Sequence, residues 1–136
     1  SRGNVLSTEL NSLADAARTA AGTEVDNSTN LDQFGKVEIN VTFGSAPSAG
    51  AYFLLYMVTA PDGTNYASGS GSVHPGAQSL VDVISVQATT SAQRLMSRVF
   101  PMQPAKTKFL LTNATGQAFP ASGSTVELFT NNDEVQ

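Results

Sequence analysis

The residues able to do chemistry are few and scattered. His74 is the sole histidine, and it precedes Pro75 in a Gly/Ser-rich stretch. A lone histidine there reads as a solvated side chain. A Ser–His–carboxylate relay also needs a serine on a sharp turn, and no G-x-S-x-G segment is present. Cysteine is absent, which removes thiol nucleophiles, thiolate metal sites and disulfides together. Glu38 and Glu127 are a conceivable carboxylate pair for glycosidase chemistry. Each occupies an alternate strand position, however, where a carboxylate ordinarily meets water. Asp62-Gly63-Thr64-Asn65 begins like a calcium loop but lacks the spaced acidic ligands and closing Glu. Asn131-Asn132-Asp133-Glu134 is a polar tail with weak calcium potential. Gly69-Ser70-Gly71-Ser72 is not followed by the Lys-Ser/Thr of a phosphate loop. Tyr52 and Tyr56 share one face of an apolar strand, and Trp, the strongest sugar-stacking residue, is absent. The expectation is a non-enzyme with no catalytic residue, metal or cofactor.

The N-glycosylation pattern occurs at Asn27-Ser28-Thr29, Asn40-Val41-Thr42 and Asn113-Ala114-Thr115. A chain this rich in Asn, Ser and Thr is expected to produce such matches by chance.

The elements that position these residues are predicted to be strands. The 136 residues are 40% apolar, enough for one folded domain with a core. Only 13% are charged, about half the usual share. The net charge is −4, and the seven basic residues form no cluster. Direct nucleic-acid binding, which needs a basic stripe, is therefore not expected. The longest apolar run, Ala51 to Ala60, is half of the roughly 20 residues of a membrane span, and Ser1-Arg2-Gly3-Asn4 does not lead into a signal-peptide apolar region. Small secreted eukaryotic domains often carry disulfides, so a cysteine-free chain suits a bacterial or phage origin.

Val37, Ile39, Val41 and Phe43 alternate with Lys36, Glu38, Asn40 and Thr42, the period of a half-buried strand. Residues 51–59 form a second strand with Tyr52, Leu54, Tyr56 and Val58 on one face and Phe53, Leu55 and Met57 on the other. With both faces apolar, it is covered either by a loop or helix of its own chain or by a second subunit. Pro61-Asp62-Gly63 is turn chemistry, and residues 67–76 read as a long exposed loop. Further strands are expected at 79–88, with Leu80, Ile84 and Val86 in the core, and at 94–102, where Pro101 and Pro104 indicate a sheet edge. Two more follow at 106–113 (Phe109, Leu111) and 124–130 (Val126, Leu128). Five or six short strands predict an all-β sandwich of jelly-roll type rather than βαβ units. Residues 1–31 are read as an N-terminal arm or helix, 32–130 as the sandwich and 131–136 as a polar tail. Ser7 is positioned to cap an Ala-rich helix through Leu10, Leu13, Ala14 and Ala17 to Gly22. An extended arm or edge strand explains the same residues.

Five phrases carry a resemblance: Glu9-Leu10-Asn11-Ser12-Leu13-Ala14, Asp26-Asn27-Ser28-Thr29-Asn30-Leu31, Asp62-Gly63-Thr64-Asn65-Tyr66, Thr89-Thr90-Ser91-Ala92-Gln93-Arg94, and Thr115-Gly116-Gln117-Ala118-Phe119-Pro120-Ala121-Ser122-Gly123. In this order the chain resembles small structural proteins of tailed bacteriophages, from about Thr8 to Gln136. Its profile is also similar to the jelly-roll cement, or decoration, proteins of phage heads. That resemblance implies a homotrimer on the outer surface of the head, bound to the major capsid protein, with neither nucleic acid nor membrane as partner. Tyr52, Phe53, Leu55 and Met57 are the expected subunit interface. Val5, Leu6, Leu10 and Leu13 are the expected capsid contacts of the arm, and the 67–78 loop is an expected tip or finger. The alternative is a tail, baseplate or fibre module that binds host glycan.

Overall fold

The computed structural model describes residues 2–131, so all of the expected polar tail but Asn131 lies outside the described residues. The strands are β1 (Arg2–Leu6), β2 (Val25–Asp26), β3 (Phe34–Val41), β4 (Tyr52–Ala60), β5 (Leu80–Ser85), β6 (Gln93–Met96), β7 (Phe100–Pro101), β8 (Lys106–Ala114) and β9 (Thr125–Asn131). One sheet has the order β1-β9-β3-β6, with β7 also on β3; the other has the order β2-β8-β4-β5. All pairings are antiparallel. The chain thus wraps as a β-sandwich of jelly-roll type, early strands lying beside late ones in each sheet.

Period-two patterning builds the core. Along β3, Val37, Ile39 and Val41 are buried while Lys36, Glu38 and Asn40 are half-buried on the outer face. Phe53, Leu55, Phe109, Leu111, Val126 and Leu128 complete the interior. Phe43, Phe53 and Phe119 pack at centroid distances of 5.3–6.4 Å, and Phe100 and Phe109 meet at 6.0 Å. Burying such a side chain contributes about 1.5–3 kcal/mol.

Four expectations need correction. First, residues 7–21 are not a helix. Only Thr8–Leu10 forms a 3₁₀ turn, Ser7 makes no side-chain cap, and the one α-helix among the described residues is the single turn Asn27–Asn30. Residues 16–22 instead run along the β8 edge: Ala16 N–H donates to Asn113 O (2.7 Å), Thr19 N–H to Leu111 O (2.9 Å) and Gly22 N–H to Phe109 O (2.9 Å). Backbone bonds to an otherwise open edge, with Leu10 packed in the core, outweigh the few tenths of a kcal/mol per residue that Ala adds to a helix.

Second, residues 2–31 are not a free arm. β1 is a strand of the first sheet, and Val5, Leu6 and Leu10 are at most 2% exposed, with half-buried Leu13 packed against them. These side chains hold the two sheets together and are not available as capsid contacts.

Third, the two-faced strand β4 is covered by its own chain. Phe53 and Leu55 are wholly buried between the sheets, and Met57 packs on the same core. On the outer face Tyr56, Val58 and Leu110 form a second cluster with Ala21, Leu54 and Tyr66. Phe53, Leu55 and Met57 therefore do not form a subunit interface. Of the four residues expected there, only Tyr52 is substantially exposed.

Fourth, Leu80 is 40% exposed rather than core. The β4–β5 register shifts between Leu55 and Tyr56, setting Leu80 opposite Tyr56. The expected strand at 94–102 is likewise broken into β6 and β7 by residues 97–99.

Candidate interaction surface

The residues considered for catalysis are engaged in structure. Glu38 and Glu127 are direct cross-strand neighbours of β3 and β9, on one sheet face rather than on two walls of a cleft. Glu38 pairs with Arg94 (3.2 Å) and accepts from the Asn40 amide. His74 is exposed, its ring edge-on to Tyr56 at 5.7 Å and Nδ1 against the Pro75 carbonyl. The Asp62 carboxylate accepts from Asn65 N–H (2.7 Å), Thr64 N–H (2.9 Å) and the Asn65 amide (2.8 Å). These bonds hold its pKa down to about 2. They close the turn on itself. Among the described residues, no three His, Cys, Asp or Glu side chains gather closely enough to hold a metal ion.

The glycosylation-pattern asparagines are also committed. Asn27 is 2% exposed; its amide donates to Asp32 O and Gln103 O (2.8 Å each), and its Oδ1 accepts from Asp32 N–H. Asn113 is wholly buried. Asn40 is half-buried within β3. None of the three presents a free amide to solvent.

The 61–79 segment folds back over the second sheet rather than projecting as a finger. Arg18 Nε donates to Ser70 O (2.6 Å), Tyr66 hydroxyl bonds Glu24, and Lys108 Nζ sits 4.5 Å from the Tyr66 ring centroid. Burial, then the Glu24 hydrogen bond and charge, push the Tyr66 pKa up to about 12.

What remains exposed is concentrated. Among the described residues the exposed large apolar side chains are Leu31, Tyr52, Val73, Leu80, Val83, Met96 and Val99. Four of these seven lie on two segments, Leu80–Val83 and Met96–Val99. The first lies on β5 and the second runs from the end of β6 into the link before β7; β5 and β6 end the two sheets and meet along one side of the sandwich. Asp82 and Arg98 join them. Asp82 is 6% exposed and accepts from Arg98 N–H (2.8 Å), Arg98 Nε (3.2 Å) and Arg98 Nη2 (3.0 Å). It also accepts from Val83 N–H at 2.9 Å. An inward-pointing charge on an edge strand protects it from indiscriminate strand pairing. The Arg98 side chain is nonetheless 85% exposed, so a guanidinium with two nitrogens bonded to Asp82 still lies largely in water. Sequence reading missed this surface because its members lie on segments that only the topology brings together.

No known protein family matches the chain, and no curated protein does. Solved structures similar to it include CsCBM6-3 from Clostridium stercorarium in complex with cellobiose, at 13% identity and TM-score 0.47, covering 98% of this chain and 87% of that one. CBM35 from Cellvibrio japonicus Abf62 is 13% identical, with TM-score 0.43 and coverage of 91% and 75%. Xyl-CBM35 in complex with a glucuronic acid containing disaccharide is 16% identical, with TM-score 0.46 and coverage of 91% and 76%. At TM-scores below 0.5, none of these similarities bears on what this chain binds.

Proposed function

We propose that this chain is a non-enzymatic structural component of a tailed-phage particle that docks on the outside of the head and ties neighbouring major capsid subunits together. The phrase-level resemblance to small phage structural proteins supports the setting. The observation that carries the reading is the edge at Arg98: a positioned guanidinium between exposed Leu80, Val83, Met96 and Val99, on a body whose candidate catalytic side chains are engaged internally. Arginine is among the residues enriched in binding hot spots. The attachment no longer falls to residues 1–31, because the described part of that segment is built into the sandwich. It falls to the exposed edges and outer faces. Binding only the assembled shell stabilises it by mass action.

The test is to add purified protein to heads stripped of it and measure their resistance to heat. Raised resistance, diminished by Val99→Asp, is expected. Binding to tail structures or to host polysaccharide with head stability unchanged overturns the reading in favour of the glycan-binding module.

A further inference from the structure

We propose that two copies of this chain pair edge to edge through β6, their first sheets joining antiparallel about a two-fold axis at Leu95. This goes beyond the reading above and needs no head.

The direction of the backbone groups opens this edge. Ser97 N–H donates to Val37 O at 3.0 Å, and Val37 N–H donates to Ser97 Oγ at 2.9 Å. Ser97 and Val37 therefore face each other. Bonded and non-bonded pairs alternate along an antiparallel ladder, and the β3–β6 register runs unbroken from Val41–Gln93 to Glu38–Met96. Leu95 and Gln93 thus face β3, while the N–H and C=O groups of Arg94 and Met96 point away from it. Among the described residues these four groups have no hydrogen-bond partner.

The open stretch is bounded at both ends. Arg98, the next residue to point outward, has its N–H on Asp82 Oδ2 at 2.8 Å. Before Arg94, the Gln93 amide bonds Gln87 N–H and Gln87 O at 3.0 Å each, tying the start of β6 to the 87–92 connection. Such caps guard an edge against indiscriminate pairing. What they leave is a window of two residues, and its length selects the occupant. A second β6, antiparallel with Leu95 opposite Leu95, sets Arg94 of each copy opposite Met96 of the other. Every open N–H and C=O is then satisfied, and the ladder stops where the caps begin. A register centred on Arg94 opposes the two arginines directly, which is unfavourable, and carries Met96 onto the 87–92 connection. One centred on Met96 sets Arg94 against the occupied Arg98 N–H. A longer strand of another protein meets that same occupied group.

The side chains agree with this register. Arg94 is balanced by its own Glu38 at 3.2 Å, so the contact asks nothing of its charge. Met96, 52% exposed, lies along the aliphatic stem of the partner's Arg94. Half-buried Leu95, packed on the core, meets the partner's Leu95 on the inner side of the joined sheet.

The chain has no cysteine, so one substitution reports the geometry. A non-hydrogen-bonded antiparallel pair holds its Cα atoms about 4.5 Å apart, within disulfide reach. Leu95→Cys in the full chain is expected to give disulfide dimers on oxidation, and Met96→Cys, more exposed but off the axis, far fewer. Sedimentation of the cysteine-free chain should show a concentration-dependent monomer–dimer equilibrium. Hydrogen exchange at the Arg94 and Met96 amides should slow as dimer accumulates. Met96→Pro removes an N–H that a single copy does not use and should abolish dimers. Met96→Lys, at the same exposed position, should weaken them about tenfold, since the two-fold axis creates two like-charge pairs; it keeps the test decisive if the proline variant does not fold. A monomer at every concentration, equal crosslinking of the two cysteine variants, or dimers that persist in folded Met96→Pro overturns the proposal. Slowed exchange on heads alone, with no dimer in solution, assigns the edge to a capsid strand and overturns it too. Val99, on which the docking test turns, lies outside the window, so dimers that leave heads unbound sink the docking reading and leave this contact intact.

Discussion

The Asn113 side-chain amide donates to the Leu13 carbonyl at 3.2 Å, across 100 residues of sequence. The same amide reaches Ala14 O (3.3 Å) and Gln117 O (2.8 Å), and its oxygen accepts from Thr115 hydroxyl at 2.6 Å. One buried side chain thus fixes the edge segment and the turn after β8.

Asn113→Ala is expected to cost about 2–4 kcal/mol, because several buried carbonyls lose their donor together. Chemical denaturation measures the loss. Hydrogen exchange should locate it, with protection falling at Ala16, Ala17 and Thr19 before it falls in β3 or β9.

Gly22 packs where no side chain fits. An added Cβ would lie 2.1 Å from Val5 O and 2.8 Å from a Leu6 methyl. Gly22→Ala should therefore cost more than about 2 kcal/mol by forcing the first strand and the edge segment apart. Gly44→Ala, with nothing within 4 Å of the added carbon, is the control and should be near neutral in the same melting experiment.

For the sheet-to-sheet clasp, Asp82→Ala is expected to destabilise by about 2–3 kcal/mol, since Arg98 N–H and Val83 N–H lose an acceptor. Arg98→Ala should cost less, about 0.5–1.5 kcal/mol, because its side chain is largely in water and the backbone bond to Asp82 remains. A double-mutant cycle should give a coupling of about 1 kcal/mol. Strict additivity would mean that the side-chain pair does not couple the sheets.

Tyr66 makes the covering segment sensitive to alkali. Its folded pKa is raised from 10.0 to about 12. The neutral phenol is therefore favoured in the folded state. Its stabilising contribution is complete below pH 10 and is lost as pH rises through about 12. Phenolate absorbance should show a late-ionising component, and Tyr66→Phe should remove it. A late component surviving in Tyr66→Phe would assign it to another tyrosine.

Much of the fold was legible in the sequence. The alternation Val37-Ile39-Val41 fixed the faces of β3, and Phe109, Leu111, Val126 and Leu128 were correctly read as interior. The edge segment was not legible from local preference, because its extended form comes from hydrogen bonds to β8, far along the chain. Leu80 was misplaced because a register shift moved it, and no local pattern signals that shift. For β4, sequence established that both faces are apolar but left open what covers them. The exposed apolar edge was the least legible feature, since Val83 and Met96 each resemble an ordinary strand residue until β5 and β6 are brought together.

The pairing of Arg2 with Phe129 and of Leu6 with Val126 has a consequence for synthesis. β1 emerges from the ribosome well before its sheet partner β9, so Val5 and Leu6 wait in water until β9 has been made. Long-range strand pairing of this kind is slow and leaves sticky intermediates. The nascent chain should therefore depend on chaperones, and expression at lower temperature should raise the soluble yield.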